Sequence, residues 1–141
     1  MSGVVYEGIA LIDTSAVIAH LDPTEQFHAE AKLFFETVHD GLTFAIVNVT
    51  SHETFTRVRY DRGLAPALER YDFLRKIRVL PFVEEDEVET RRMLQKYDDQ
   101  RLSYHDTLCA AVMKRVGIYK VFSFDADFWI FGFWVLPGAT R

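Results

Sequence analysis

Short, continuous runs of apolar residues alternate along the chain with longer segments in which apolar residues recur every three or four positions. The runs are typical of buried strands, and the periodic segments are typical of amphipathic helices. The runs predict strands over residues 9–12, 44–47, 78–82, 120–123 and 133–136, the last at an edge of the sheet.

The periodic segments predict helices over residues 25–39, 51–60, 65–76, 84–97 and 104–116, with a short helical turn at 127–131. Glycine commonly follows the last residue of a helix, and Gly41, Gly63 and Gly117 stand at three of the predicted ends. Apolar strands that alternate with helices predict an α/β fold, a three-layer α/β/α sandwich around a mainly parallel sheet.

Composition places the chain among ordinary globular proteins. Its 141 residues fit a single domain, and 49% of them are hydrophobic. The lone cysteine, Cys109, cannot form an internal disulfide, which favours the reducing cytoplasm. We expect no signal peptide, because the first residues contain no basic segment, and no membrane span, because the most apolar segment, 128–136, is too short.

The formal net charge of −5 argues against a nucleic-acid partner, because phosphate binding favours a basic surface. The argument weakens if acids are concentrated in a metal site. Setting aside four acids that would bind metal brings the net charge from −5 to −1. Charge therefore does not decide the question.

Four acids lie where predicted strands give way to helices or turns: Asp13, Glu53, Asp106 and Asp125. In open parallel sheets, sites form beyond the carboxyl ends of the strands. Two carboxylates 4 Å apart repel by about 4 kcal/mol at an effective dielectric of about 20, so four would need a divalent cation or protons. Oxygen ligands without histidine or cysteine favour magnesium or manganese, which support phosphodiester hydrolysis.

Each of these acids also has a structural interpretation. The segments 50–53 and 103–106 both fit a capping box at a helix start. Asp13 could be a helix N-cap, and Asp125 could form a turn. The acidic run 84–87 is assigned to the positive end of a helix dipole rather than to a second metal site.

Three segments resemble the motifs of the PIN domain family: residues 9–18 (IALIDTSAVI), 102–111 (LSYHDTLCAA) and 121–128 (VFSFDADF). Glu53 falls in the interval where the family has its second acid. The resemblance covers about residues 8–137 in the expected order. Ser123 stands where the family more often has threonine, and its hydroxyl can serve the same purpose.

The resemblance implies a metal-dependent site for Mg²⁺ or Mn²⁺. Asp13, Asp106 and Asp125 would hold the cation directly or through water, and Glu53 would complete the site through a second metal or an oriented water. Asp127 is a weaker candidate in an outer position.

Side chains around these acids are assigned supporting roles. The hydroxyls of Thr14, Ser15 and Ser123 would orient carboxylates, although local capping explains Ser15 equally well. Arg57 would pair with Glu53 or bind the substrate phosphate. His52 and His105 each precede a candidate ligand. We expect both histidines to be exposed in the first turn of a helix and at most to contact RNA phosphate.

In size the chain is similar to the VapC-type toxins of the PIN family. That similarity implies a metal-dependent endoribonuclease of a toxin–antitoxin pair, with an RNA substrate, a cognate antitoxin and a homodimeric state. Exposed aromatic residues in 128–134 would favour self-association.

Three alternatives remain open. One is a PIN-fold module that binds RNA or protein without catalysis, which the four intact acids argue against. Another is a haloacid-dehalogenase-type phosphatase, which needs Asp-x-Asp where this chain has Asp13-Thr14-Ser15. The third is a phosphate-receiver domain, whose paired acid before the first helix and late lysine are not apparent.

Overall fold

The computed structural model describes residues 8–38 and 41–137. In chain order, the elements are β1 (Ile9–Ile12), α1 (Thr14–Leu21), α2 (His28–Val38), β2 (Thr43–Val47), α3 (Asn48–Arg62), α4 (Leu64–Arg75), β3 (Arg78–Leu80), α5 (Glu84–Lys96), α6 (Tyr104–Val116), β4 (Lys120–Phe122), α7 (Asp127–Ile130) and β5 (Trp134–Leu136). No helix among these described residues is long and apolar enough to cross a bilayer.

The five strands form one sheet in the order β3-β2-β1-β4-β5, and every pairing is parallel. β1 is central, and its last residue, Ile12, pairs with Phe122 at the end of β4. The ladder continues past the strand end, where the Asp13 N–H donates to the Phe122 carbonyl at 3.2 Å. The sheet thus brings the chain segments that follow β1 and β4 to the same edge. β5 lies at the edge of the sheet, as predicted.

Helices cover both faces of the sheet, which confirms the predicted three-layer sandwich. Successive strand residues point to opposite faces, so Leu11 packs with the α5–α7 side and Ile12 with the α1, α2 and α4 side. α6 is the most deeply packed helix, because its residues from Asp106 to Met113 are all buried. A continuous core on each face explains why the central strand β1 is apolar and buried throughout.

The helix α1 was not predicted. It begins one residue after β1, so only the short polar segment 13–15 lies between the apolar strand and the apolar residues of α1. Asp13 separates them, because its carboxylate oxygen Oδ1 accepts a hydrogen bond from the Ala16 N–H at 3.0 Å and caps the helix.

Most other predicted boundaries differ by a few residues at most. α6 is observed at its predicted limits, and its end at Gly117 has the left-handed conformation (φ 81°) that glycine adopts most readily. α2 begins at His28 rather than at residue 25, because hydrogen-bonded turns occupy the chain between Asp22 and His28. Its predicted end at residue 39 lies outside the described residues. α3 begins at Asn48, three residues before the predicted start.

Candidate metal centre

Three of the predicted ligands converge at the carboxyl edge of the sheet. One carboxylate oxygen from each of Asp13, Asp106 and Asp125 lies within 4.8 Å of the others. Asp13 follows β1, Asp125 follows β4 by three residues, and Asp106 lies in the first turn of α6. We call these three residues the acidic triad. The parallel pairing of β1 with β4 places two of its members side by side, and the start of α6 supplies the third.

Asp13 is held at both carboxylate oxygens. Its Oδ1 accepts hydrogen bonds from the Ser15 hydroxyl at 2.7 Å and from the Ala16 N–H. Its Oδ2 accepts one from the Ser123 hydroxyl at 2.6 Å. The side chain is 1% exposed. Asp13 is therefore an N-cap and a member of the acidic triad at once, and the two interpretations are compatible.

The three predicted supporting hydroxyls differ in what they contact. Ser123 Oγ also accepts the Asp125 N–H at 2.9 Å, and Ser15 Oγ accepts the Phe124 N–H at 3.1 Å. These two serines therefore tie the segment after β4 to Asp13. Thr14 differs, because its buried hydroxyl has no hydrogen-bond partner among the described residues.

Burial and mutual repulsion shift the titration of the acidic triad. Burial raises the pKa of Asp13 to about 6, and the charge of Asp106 adds to this while the serine hydrogen bonds oppose it. Burial, followed by the hydrogen bond with Asp106, raises the pKa of Asp125 to about 7. Burial also acts against the charged form of Asp106, but hydrogen bonds with His105 and Asp125 outweigh it and lower its pKa. Ionising all three at neutral pH is therefore unfavourable without a counter-charge.

Asp127 lies beside the acidic triad but is not part of it. Its N–H donates to Asp125 Oδ1 at 2.9 Å, which makes Asp125 a turn former as well as a triad member. Burial and the charge of Asp106 raise the pKa of Asp127. Asp127 therefore contacts the acidic triad through its backbone, and its role in an outer position stays a prediction.

Glu53 is connected to the acidic triad through a histidine. Because α3 begins at Asn48, Glu53 lies in its second turn, and the predicted first-turn position is wrong. The capping box at 50–53 is also wrong, since the N-cap of α3 is Val47. Glu53 Oε2 lies 3.2 Å from Nδ1 of His105, and the same nitrogen lies 3.1 Å from Asp106 Oδ1.

His105 is largely buried, contrary to the prediction that it is exposed. Its side chain is only 10% exposed, and its Nε2 lies 3.0 Å from the Thr50 hydroxyl. Burial opposes the charged form, but the contacts with Asp106, Cys109 and Glu53 raise the pKa of His105 overall. The sequence signal was its place in the first turn of an otherwise apolar helix, directly before Asp106.

At the second predicted capping box, residues 103–106, the Ser103 hydroxyl accepts the Asp106 N–H at 3.0 Å, as an N-cap does.

The remaining residues singled out from the sequence are not members of the acidic triad. His52 is exposed, as predicted, and its ring stacks on Tyr71 at 6.1 Å. Arg57 is exposed and lines a cavity of about 460 Å³ formed by residues of α1, α3 and α4 and the segment after α1. In the run 84–87, Asp86 is buried, accepts the Val83 N–H and pairs with Arg115 at 2.9 Å. The acidic run therefore supports the start of α5, as predicted.

A parallel α/β sandwich with an acidic triad at its carboxyl edge defines the class of this protein. The sequence profile of the PIN domain family matches residues 10–131, and the chain belongs to that family. This assignment sets aside the phosphatase and receiver-domain alternatives. A comparison with curated proteins finds no match.

Solved structures of VapC and VapBC proteins share the fold. One is VapC20 of Mycobacterium tuberculosis, which is described as a toxin that cleaves the sarcin–ricin loop. It is 24% identical to this chain with a TM-score of 0.81, and the match covers 89% of this chain and 95% of that one. VapBC2 of Rickettsia felis, bound to a DNA fragment from its promoter, is 14% identical with a TM-score of 0.70, covering 90% and 96%. DNA-bound VapBC of Salmonella typhimurium is 16% identical with a TM-score of 0.62, covering 92% of each chain.

Proposed function

We propose that this protein is a metal-dependent endoribonuclease that hydrolyses RNA phosphodiester bonds. The observation that carries the proposal is the convergence of Asp13, Asp106 and Asp125 within 4.8 Å. Membership of the PIN domain family supports it. The 141 residues would act as one nuclease domain.

The chemistry of the acidic triad fits Mg²⁺ or Mn²⁺. All three donors are carboxylate oxygens, which these hard cations prefer, whereas zinc sites usually contain nitrogen or sulfur. Burial is the main cause of the raised pKa values of Asp13 and Asp125, and a bound divalent cation would offset this cost of ionising them. When bound, the cation would stabilise charge on phosphodiester oxygens and lower the pKa of a water.

The chain's own residues would orient this site. Ser15 and Ser123 hold Asp13, and Ser103 fixes the start of α6 from which Asp106 projects. Glu53 would complete the ligand set from its place beside His105, and Asp127 would act from an outer position. Hydrogen bonds from the chain's own residues would hold the carboxylates in place, which limits the cost of ordering them when a cation binds.

We further propose that the protein is the toxin of a toxin–antitoxin pair and acts in the cytoplasm. The support is the shared fold with VapC20, described as an RNA-cleaving toxin, and with the toxin–antitoxin complexes VapBC2 and VapBC. Its partner would be a cognate antitoxin protein. If this is correct, co-expression with the small protein encoded next to its gene should abolish its RNA cleavage.

We also propose a homodimer. Trp134 on the edge strand β5 is 63% exposed, and Tyr119, whose carbonyl accepts the Trp134 N–H, is 66% exposed. Two neighbouring exposed aromatic side chains favour association. Sedimentation velocity should give a dimer for the wild type and a monomer for Trp134→Lys. A monomeric wild type at micromolar concentration would rule this proposal out.

RNA cleavage by purified protein tests the nuclease proposal. Cleavage should require Mg²⁺ or Mn²⁺, stop on addition of EDTA, and fall below detection in Asp13→Asn and in Asp106→Asn. These variants keep the shape of each side chain and remove its charge. Undiminished cleavage by both would show that the nuclease activity does not come from this site.

A second measurement separates catalysis from binding alone. A ligand that binds only the native state raises the melting temperature, so millimolar Mn²⁺ should stabilise the wild type more than Asp13→Asn. A wild type that Mn²⁺ stabilises but that cleaves no RNA would instead be a PIN-fold binding module.

A further inference from the structure

We propose that His105 is a positioning residue, whose imidazole bridges Glu53 and Asp106 and thereby holds Glu53 beside the acidic triad. The inference rests on the proposed nuclease function and assigns a role to a side chain outside the set of acids. His105 would act through Glu53, the acid that it holds, rather than touch the substrate.

Glu53 depends on His105 for its position. Its side chain is 32% exposed, and within residues 8–38 and 41–137 His105 is its one polar partner. A glutamate side chain has three rotatable bonds, so without that contact it would sample several rotamers in solvent. Since Glu53 is not itself within the acidic triad, its usefulness as a ligand depends on what holds it nearby.

His105 is well placed to provide this hold. Its Nδ1–H donates to Asp106 Oδ1 at 3.1 Å, and the same nitrogen lies 3.2 Å from Glu53 Oε2, which is an ion-pair distance. The Nδ1–H exists both in the imidazolium and in one neutral tautomer, so the hydrogen bond to Asp106 can form in either. On the other side, Nε2 lies 3.0 Å from the Thr50 hydroxyl.

The bridge joins two helices. Thr50 and Glu53 are three residues apart on α3 and so share a helical face, and both contact the same ring on α6. The Cys109 sulfur, one turn later on α6, lies 3.7 Å from Nε2 and closes the side of the ring away from the acids. The ring thus has polar contacts at both nitrogens and little freedom to rotate.

A double-mutant cycle tests whether His105 acts through Glu53. His105→Leu should lower kcat for RNA by about 10- to 100-fold, the range seen when a partner of a metal ligand is removed. It should weaken Mn²⁺ binding by a similar factor, which calorimetry measures. KM for RNA should stay within about twofold, because no RNA contact is lost. Combined with Glu53→Ala, His105→Leu should add less than about threefold to the loss, because the two changes remove one shared interaction.

Rescue by matched amides adds a geometric test. Asparagine carries an N–H donor near the position of Nδ1, whereas glutamine carries one near Nε2. His105→Asn should therefore recover most of the Mn²⁺ affinity and kcat, and His105→Gln should recover little. Thr50→Val, which removes the contact at Nε2 only, should cost less than His105→Leu. His52→Leu, the histidine directly before Glu53, is the control and should leave Mn²⁺ binding unchanged.

The outcomes separate this inference from the nuclease proposal. If the wild type cleaves RNA and Asp13→Asn does not, yet His105→Leu matches the wild type in kcat and Mn²⁺ affinity, the positioning role is wrong and the nuclease stands. Losses that multiply in the double variant, or equal rescue by both amides, would also overturn it. A wild type that neither binds Mn²⁺ nor cleaves RNA would overturn both. Should His105→Leu fail to fold, the asparagine and glutamine variants carry the test.

Discussion

The Ser123 hydroxyl lies 2.6 Å from Asp13 Oδ2, although the two residues are 110 positions apart in the chain. The contact connects the ends of two neighbouring strands, β1 and β4, at the edge where the acidic triad forms. Both residues are buried. The hydrogen bond therefore supports the fold and orients a candidate ligand at the same time.

Replacing Ser123 with alanine should affect stability and metal binding together. A hydrogen bond to a charged group contributes about 1.5–3 kcal/mol, so Ser123→Ala should lower the free energy of unfolding in EDTA by about that amount. Urea denaturation measures it. Ser123→Thr keeps the hydroxyl and should retain Mn²⁺ affinity, and equal behaviour of the alanine and threonine variants would contradict this role for the hydroxyl.

Replacing Asp125 with asparagine should stabilise the metal-free protein while weakening Mn²⁺ binding. Burial and the hydrogen bond with Asp106 raise the pKa of Asp125 to about 7. Above that pH the side chain ionises in the native state, and its ionised form lowers the stability of the protein. Solvent screens this half-buried group, and we expect a gain on the order of 1 kcal/mol near pH 8. Thermal melts with EDTA and with Mn²⁺ measure both effects. Asp99→Asn, at an exposed position, is the control, and a lower melting temperature for metal-free Asp125→Asn would count against mutual repulsion.

The metal-free protein should become more stable as the pH falls from about 8 to about 5. The native state takes up protons at Asp125 and Asp13 with pKa values of about 7 and about 6, whereas an unfolded aspartate does so near 3.9. The native state thus binds more protons in this window, so stability rises as pH falls. Saturating Mn²⁺ should flatten the trend, because a bound cation keeps the acids ionised.

Comparison with Asp125→Asn isolates this effect in urea titrations across the pH range. Burial lowers the pKa of His20. This histidine therefore makes the protein less stable as the pH falls, in the wild type and in Asp125→Asn alike, and the comparison cancels its effect. The difference between the wild type and Asp125→Asn should shrink as the pH falls below about 7. A difference that does not change with pH would show that Asp125 titrates normally.

Replacing Asp86 with alanine should destabilise the fold without affecting the metal centre. Its carboxylate caps α5 through the Val83 N–H and pairs with Arg115, at the opposite end of α6 from Asp106. Loss of these charge-assisted contacts should cost about 2–3 kcal/mol in urea denaturation. Glu87→Ala, an exposed residue in the same turn, should cost much less. Calorimetry should show unchanged Mn²⁺ affinity, and a large change would mean that strain passes along α6.

Hydrophobic periodicity and local signals were enough to predict most of the fold. Apolar runs predicted all five strands, and Gly117 marked the end of α6 correctly because a left-handed residue there favours glycine. The parallel sheet followed from strands that are apolar on both faces. The motif resemblance selected the members of the acidic triad, and strand-end positions alone would not have separated them from other acids.

Tertiary packing decided the remainder. α3 begins at Asn48, directly after β2, whereas the sequence predicted residue 51. The N-cap at Asp13 was one of two interpretations of that acid, and the structure shows that it begins α1. The burial of His105 depends on α3, which supplies Thr50 from 55 positions away. Periodicity reports interactions between residues a few positions apart, whereas the bridge from Glu53 through His105 exists only because side chains of two distant helices meet. The sequence by itself therefore determined the elements and the candidate acids, and the side-chain contacts between α3 and α6 decided how one of those acids is held.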